Sequence, residues 1–244
     1  MVSFKNRIYA QYVDSRNPPG RECASASDTT VGTNPYLHRL VRKHFPRARD
    51  AAIVDLGCGD GSLLRTARDL GYTSAWGIDC SPQQVARAHR AGLTNVVLGD
   101  LREALAGVTD ESQDCVVALD VLEHFGRDDI GQICDAVHRV LRSGGQFIAH
   151  VPNCESPFGA RIRYGDLTHE TGFTRASIEQ LFAVVGFRDA RCFEDVPVVH
   201  GPVSAGRFVL WHLLRTAAAT WIAVETGSGR RAIVSQGLIA IGIK

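Results

Sequence analysis

The chain has 244 residues, of which 45% are hydrophobic and 22% are charged. Its 27 lysines and arginines nearly balance 26 acidic residues, so the net charge at pH 7 is +1. This composition is typical of a globular protein with a sizeable core. It gives no indication of a nucleic acid partner, because such a partner goes with a basic excess gathered on one face.

Seven cysteines are scattered along the chain without a CxxC pair. Their odd number and their positions in apolar stretches predict reduced, buried thiols in the cytoplasm. The N-terminal stretch lacks an apolar segment followed by a cleavage site, and no run of about 18 uncharged apolar residues occurs. We therefore expect a cytoplasmic protein without a membrane span.

Strand and helix patterns alternate from residue 51 onward. Strand patterns occur in AAIVDLG, SAWGIDC, NVVLGD, DCVVALD, QFIAHVP, FRDARCFED and AIVSQGLIAIGIK. Helical patterns occur in SLLRTARDLG, SPQQVARAHRAG, residues 128–141 and TRASIEQLFAVVG. Ser81 and Thr174 are the expected N-caps, and Gly186 is an expected helix end. The alternation predicts an α/β fold, a doubly wound and mostly parallel sheet of seven strands with helices on both faces.

The first strand leads into a glycine-rich turn, Asp55 to Gly61, which opens directly into a helix. Ligands of such sheets bind at the carboxyl ends of the strands. Glycines there let the backbone come close to a ligand, and the helix offers unpaired N–H groups. A dinucleotide-binding dehydrogenase would use a GxGxxG turn, whereas here the third glycine comes one residue early.

The next three strands also end in carboxylates. Asp79 is placed to accept hydrogen bonds from the two hydroxyls of a ribose. Asp100 is placed to accept one from an adenine amino group while Leu101 covers the ring, and Asp120 follows the fourth strand. Each alone could be a helix cap or a turn residue. Their succession after the glycine turn instead indicates that four successive strand ends carry ligand-binding groups.

The motifs VDLGCGDGSLL, GIDCSP, GDL, DCVVALDVLEHF and LRSGGQFIAHVPN resemble those of class I S-adenosylmethionine-dependent methyltransferases. The resemblance covers residues 50–153 and implies a Rossmann-like fold with an antiparallel last strand. It also implies an enzyme with S-adenosyl-L-methionine as cofactor and S-adenosyl-L-homocysteine as product. The residues implied at the cofactor are Asp55, Gly57, Cys58 and Gly59 for the methionine portion, Asp79 with Cys80 for the ribose, Asp100 and Leu101 for the adenine, and the backbone at Leu119 and Asp120 for the amino group.

Three histidines, His124, His150 and His169, lie where a base for the acceptor could be. A hydroxyl acceptor needs a base near its oxygen, whereas a neutral amine needs little help. His124 can also be a helix-start residue on the cofactor side, and His150 can be a structural strand residue. We predict His169, His124 and Asp120 as the catalytic residues.

The segment from His150 to Phe187, which contains YGDLTHE, resembles a narrower group of bacterial methyltransferases, often linked to polysaccharide, lipopolysaccharide or other glycan synthesis. The opening at residues 8–13 resembles that group as well. This favours a hydroxyl of a sugar or glycan-related small molecule as acceptor. N-methylation of an amine or amino sugar, a nicotinamide-dependent oxidoreductase and a non-catalytic binding module are the alternatives.

The sequence predicts no metal. Ligand-type residues occur in two places, at Glu123 and His124 and again at Asp166, His169 and Glu170. No set of three or more shows a recognised metal-ligand spacing.

We expect one domain over residues 1–244, as a monomer or a homodimer. Its parts are an N-terminal helical and lid segment at 1–50, with residues 14–34 as the lid, a cofactor-binding core at 51–153, and a substrate-side half at 154–244 with an insertion at 197–232. The insertion contains a predicted helix at 208–224. That helix is expected to pack over the acceptor pocket or against a second subunit, and contact with a membrane surface is the alternative.

Overall fold

Seven strands form one mixed sheet in the order β3-β2-β1-β4-β5-β7-β6. The computed structural model describes residue 8, residues 34–227 and residues 232–244. The strands are β1 (Ile53–Leu56), β2 (Ala75–Asp79), β3 (Val96–Leu98), β4 (Gln113–Leu119), β5 (Leu141–Pro152), β6 (Arg188–Glu194) and β7 (Gly237–Ile243). β7 is antiparallel to its neighbours β5 and β6. The predicted Rossmann-like α/β fold, mostly parallel with an antiparallel last strand, is confirmed.

Helices connect most of the strands. They are α1 (Pro35–His44), α2 (Ser62–Asp69), α3 (Pro82–Arg90), α4 (Leu101–Gly107), α5 (Arg127–Val140), α6 (Gly159–Arg163), α7 (Arg175–Val185) and α8 (Pro202–Thr226), with a 3-10 helix at Leu122–His124. Ser81 caps α3 as predicted, since its hydroxyl accepts from the Gln84 N–H. Thr174 and Ser177 form a capping box at the start of α7, and Gly186 ends that helix with φ 103°.

The contacts of the chain divide it into two compact units, Met1–Gly107 and Val108–Lys244. In the first unit, β1 pairs with β2 and β2 with β3, all parallel. Helix α1 belongs to the predicted N-terminal segment, and Asn34 caps it by accepting from the Tyr36 N–H. The predicted lid at 14–34 and the opening at 8–13 lie outside the described residues except for positions 8 and 34. The single-domain organisation stays a prediction.

The core of the second unit is built on β5, which pairs with β4 and β7. Phe147 on this strand is fully buried and packs against Phe182 and Phe187, with ring centroids 5.4 and 5.8 Å away. A Cβ on Gly242 of β7 would lie 2.8 Å from the Phe182 ring, so glycine there lets the aromatic cluster sit directly on the sheet. This packing fixes the strand ends that carry the candidate residues described below.

Helix α8 is longer than the sequence predicts. It begins at Pro202 rather than near 208, because proline is favoured in a first helical turn, and Gly227 ends it with φ 74°. Ser204 is its buried residue, and many apolar side chains are exposed, namely Val203, Val209, Leu210, Leu213, Leu214, Trp221 and Val224. Packing over the acceptor pocket, packing against a second subunit and contact with a membrane surface all stay predictions for this helix. None of the described helices meets the length and apolarity of a membrane span.

Candidate active site

The glycine-rich turn after β1 has a left-handed backbone at Gly57, Gly59 and Gly61, with φ of 67°, 57° and 76°. The Asp79 carboxylate at the end of β2 holds this turn. Its Oδ2 accepts from the Gly59 N–H and its Oδ1 from the Ser81 N–H, each at 2.8 Å. A carboxylate has about four lone-pair positions, so Asp79 keeps capacity for further donors such as ribose hydroxyls.

Two glycines of the first unit are required by close packing. A Cβ on Gly61 would lie 2.4 Å from Leu93, and one on Gly77 of β2 would lie 2.7 Å from the Cβ of Cys58. Cys58 and Leu64 belong to a buried apolar cluster. The Cys58 thiol therefore points into the core, where burial raises its pKa. Sequence reasoning did not single out Gly77.

Asp55, in β1, is almost fully buried, with 2% of its surface exposed. Burial, together with the charge of Asp79, raises the pKa of Asp55 well above its usual range. The structure thus places a buried carboxyl group beside the glycine turn.

Asp100 and Leu101 follow β3, and the register pairs Asp79 with Leu98. Asp100 is partly exposed and accepts from the backbone N–H of Arg102 at 2.8 Å. Burial opposes its charge, but hydrogen bonds from Arg102 outweigh that effect and lower the pKa of Asp100. Cys80 is exposed beside Asp79. The predicted cofactor residues from Asp55 to Leu101 therefore lie at successive strand ends of one unit.

In the second unit, Leu119 ends β4 and pairs with His150 of β5. Asp120 follows with φ 55°, a conformation that only a few residue types adopt readily. Its Oδ1 lies 2.6 Å from His150 Nδ1, and Asp195 Oδ2 lies 3.5 Å from His150 Nε2. Burial disfavours the His150 charge, but the two carboxylates outweigh it and raise the pKa of His150 to about 10. The raised pKa favours the protonated form of His150, whereas a general base needs the neutral form.

Glu123 lies in the 3-10 helix after β4 and is fully buried. Neither of its carboxylate oxygens has a hydrogen-bond partner among the described residues. Burial, followed by the nearby Asp120 charge, raises the pKa of Glu123 to about 8. Its Oε1 lies 3.9 Å from Nε2 of His169. Sequence reasoning noted Glu123 only as a ligand-type residue.

The loop that carries His169 is tied to this 3-10 helix by backbone hydrogen bonds. The N–H groups of Glu170 and Thr171 donate to the Glu123 carbonyl at 2.7 and 3.0 Å. The Thr171 hydroxyl donates to the Phe125 carbonyl, and Arg163 donates to the carbonyl of His169. The structure thereby brings His124 and His169 together, with ring centroids 4.8 Å apart.

Hydrogen bonding fixes the tautomers of both rings. The Thr168 hydroxyl donates its one proton to Asp166 Oδ1 at 2.6 Å, so it accepts from His124 Nδ1 at 2.8 Å. His169 Nδ1 donates to the Ile162 carbonyl at 3.1 Å. A neutral ring at either position therefore carries its lone pair on Nε2. The sequence analysis did not identify Thr168 as a site residue. A threonine two residues after an aspartate in a turn could have suggested the hydrogen bond between them.

Asn153, the asparagine after the fifth strand, is fully buried and holds the fold. Its Nδ2 donates to the carbonyls of Ile233 and Ser235 at 2.6 and 2.8 Å, and its Oδ1 accepts from the Glu155 N–H. These bonds connect the end of β5 to the segment before β7. The Asn153 side-chain amide therefore has a structural role, since its hydrogen bonds go to backbone groups.

Residues 54–149 match the family described as methyltransferase domain. The ubiquinone biosynthesis O-methyltransferase of Xanthomonas oryzae pv. oryzae is 33% identical over 132 residues, which are 50% of this chain and 54% of that protein. The 2-ketoarginine methyltransferase of Streptomyces arginensis is 37% identical over 120 residues, which are 45% of this chain and 33% of that protein. The chain thus spans about half or less of the length of these relatives.

Solved structures share the fold at low identity. A SAM-dependent methyltransferase from Archaeoglobus fulgidus aligns with a TM-score of 0.66 and 18% identity, over 85% of this chain and 93% of that one. The Haemonchus contortus phosphoethanolamine N-methyltransferase 2, in complex with S-adenosyl-L-methionine, aligns with a TM-score of 0.63 and 17% identity, over 100% of this chain and 60% of that one. These two similarities establish the fold alone.

Proposed function

We propose that this chain is an S-adenosylmethionine-dependent methyltransferase and that it methylates a hydroxyl of a sugar or glycan-related small molecule. The match of residues 54–149 to the methyltransferase domain family supports the first part. The donor already carries an activated methyl group on its sulfonium. The protein therefore supplies alignment and, for a hydroxyl, a means of removing the proton. The acceptor class rests on the second unit.

The donor is assigned to the strand ends of the first unit. Asp79 offers its remaining lone pairs to the ribose hydroxyls, and Asp100 with Leu101 holds the adenine. The left-handed glycines at 57 and 59 keep side chains away from the methionine portion. The backbone at Leu119 and Asp120 is proposed for the methionine amino group.

The observation that carries the hydroxyl assignment is the pair of Nε2 lone pairs on His124 and His169, beside the buried Glu123. In the reaction the acceptor oxygen bonds to the methyl carbon, the carbon–sulfur bond breaks and S-adenosylhomocysteine leaves. When no ion is bound at this cluster, the hydroxyl proton passes to Nε2 of His169. Asp120 acts as a positioning residue through its bond to His150.

The names of the relatives support methyl transfer, but they differ in the acceptor molecule. One is an O-methyltransferase of ubiquinone biosynthesis and one methylates 2-ketoarginine by name. The sugar as acceptor rests on the resemblance of the YGDLTHE segment to glycan-associated methyltransferases. The cytoplasmic location belongs to the proposal too, and the buried thiols of Cys58, Cys115 and Cys134, which form no disulfide among the described residues, support it.

Methyl transfer from labelled S-adenosylmethionine to a panel of sugars and of amines tests the acceptor class. We expect transfer to a sugar hydroxyl, and we expect His169→Asn to lower kcat by about 10²- to 10⁴-fold because a general base is lost. His200→Asn, at an exposed histidine, is the control and should leave kcat unchanged. Transfer to amines alone, with kcat insensitive to His169→Asn, would favour N-methylation.

A further inference from the structure

We propose that Glu123, His124 and His169 form a binding site for a divalent transition-metal ion such as Zn²⁺ or Mn²⁺. One ligand atom from each residue, a carboxylate oxygen or a ring nitrogen, lies within 4.8 Å of the other two. Atoms bound to a common ion at about 2.0–2.3 Å lie at most about 4.6 Å apart, so small side-chain movements would close the site. The two ligand-type sets of the sequence each contribute to it.

The Glu123 carboxylate is the feature that an ion would explain. A buried carboxyl group without a hydrogen-bond partner is costly, whether it is neutral or ionised, and an ionised one in a protein interior is paired or coordinates a metal. Both Glu123 oxygens lack such a partner among the described residues, although the side chain is only 1% exposed. The Glu123 carboxylate faces the cluster, since its Oε1 lies 3.9 Å from Nε2 of His169.

The two histidines are oriented as metal-ligating histidines are. Such a ring donates its other N–H to a carbonyl, a carboxylate or a comparable acceptor, and this fixes the ligating nitrogen. His169 donates from Nδ1 to the Ile162 carbonyl. His124 donates from Nδ1 to the Thr168 hydroxyl, which in turn donates to Asp166. Nε2 is therefore the nitrogen that either ring offers to an ion.

The donor set indicates the class of ion. Two imidazole nitrogens favour Zn²⁺ and its transition-metal neighbours over Mg²⁺ and Ca²⁺, which prefer oxygen ligands. Three protein ligands leave at least one coordination position open, as in catalytic rather than structural sites. This further step rests on the proposed function: an acceptor hydroxyl coordinated there would have a lowered pKa and release its proton to solvent, and His169 would be a ligand instead of the base.

Titration of the chelator-treated full chain with Co²⁺, followed by its visible absorption, tests the site without any turnover, and calorimetry with Zn²⁺ and Mn²⁺ gives the affinities. We expect one ion per chain. Glu123→Gln and His169→Asn should each weaken binding by more than about tenfold, and Thr168→Val, which removes the acceptor for His124, by about 10- to 100-fold. His200→Asn, at an exposed histidine, should bind as the wild type does.

No Co²⁺ spectrum and no Zn²⁺ or Mn²⁺ binding by the wild type would overturn the site, and so would affinities that these variants leave unchanged. Because Glu123 is buried, its variant could fail to fold. In that case the Co²⁺ spectrum of the wild type tests the site, and we expect it to show imidazole ligation. Titration with S-adenosylhomocysteine separates the two proposals. Binding of that product without any ion rejects the metal site alone, and binding of an ion without that product rejects the methyltransferase assignment alone.

Discussion

At the end of β4, Asp120 has an unfavourable backbone conformation and a short hydrogen bond to His150. The position accepts aspartate because aspartate and asparagine adopt a left-handed backbone more readily than most residues. The carboxylate, in turn, keeps His150 protonated against the effect of burial. Asp120 thus determines both the backbone turn after β4 and the protonation of His150.

This pair predicts a dependence of stability on pH. The pKa of His150 is raised from 6.5 to about 10 in the folded chain, so its contribution is complete below about pH 6.5 and lost as the pH rises through 10. Asp120→Asn keeps the backbone conformation but removes the charge. We expect the free energy of unfolding, measured by denaturant titration from pH 6 to 10, to fall less steeply in this variant. Equal slopes would show that Asp120 does not hold the His150 proton.

Within the elements, the turn after β1 depends on glycines that a sequence pattern only partly identifies. Gly57, Gly59 and Gly61 stand in a recognisable motif, whereas Gly77 stands in the middle of a strand. Its requirement comes from Cys58 and Leu64, which pack against β2 from the turn and from α2. The need for glycine at position 77 therefore arises from tertiary packing, which the local sequence pattern does not show.

Gly77→Ala should therefore destabilise the protein. The added Cβ would lie 2.7 to 2.9 Å from Cys58 and Leu64, and overpacking of this kind costs about 1–3 kcal/mol. Gly131→Ala is the matched control, because it lies in α5 with no atom within 4 Å of the added Cβ, and there alanine should stabilise by up to about 1 kcal/mol. Denaturant unfolding of both variants checks this, and equal stability of Gly77→Ala and the wild type would contradict the packing.

The elements were the most predictable part of the molecule. The glycine turn, the caps Ser81 and Thr174 and the stop at Gly186 follow from local preferences, and the structure confirms them. The sequence predicted too late a start for helix α8, because Gly206 and Arg207 interrupt the apolar pattern that the prediction followed. Its exposed apolar face could not be anticipated, since burial depends on what the rest of the chain covers.

At the scale of the whole molecule, the mostly parallel seven-stranded sheet and its antiparallel β7 follow from the alternation of elements together with the family resemblance. The cluster in the second unit does not. Glu123 and His169 are far apart in the chain, and they meet because the loop from 166 to 171 donates backbone hydrogen bonds to the 3-10 helix. The sequence contained the ligand types but not their convergence, nor the approach of Asp195 to His150.

The central claim is that the strand ends of the first unit bind the methyl donor. The most direct measurement is calorimetric titration of the purified chain with S-adenosylhomocysteine and, separately, with NAD, using Asp79→Asn as the variant and Asp69→Asn, a partly exposed aspartate, as the control. We predict binding of S-adenosylhomocysteine that Asp79→Asn weakens by at least about tenfold, since a charged hydrogen bond contributes roughly 1.5–3 kcal/mol, and that Asp69→Asn leaves unchanged. Binding of NAD in its place, or no binding of S-adenosylhomocysteine by the wild type, would contradict the account.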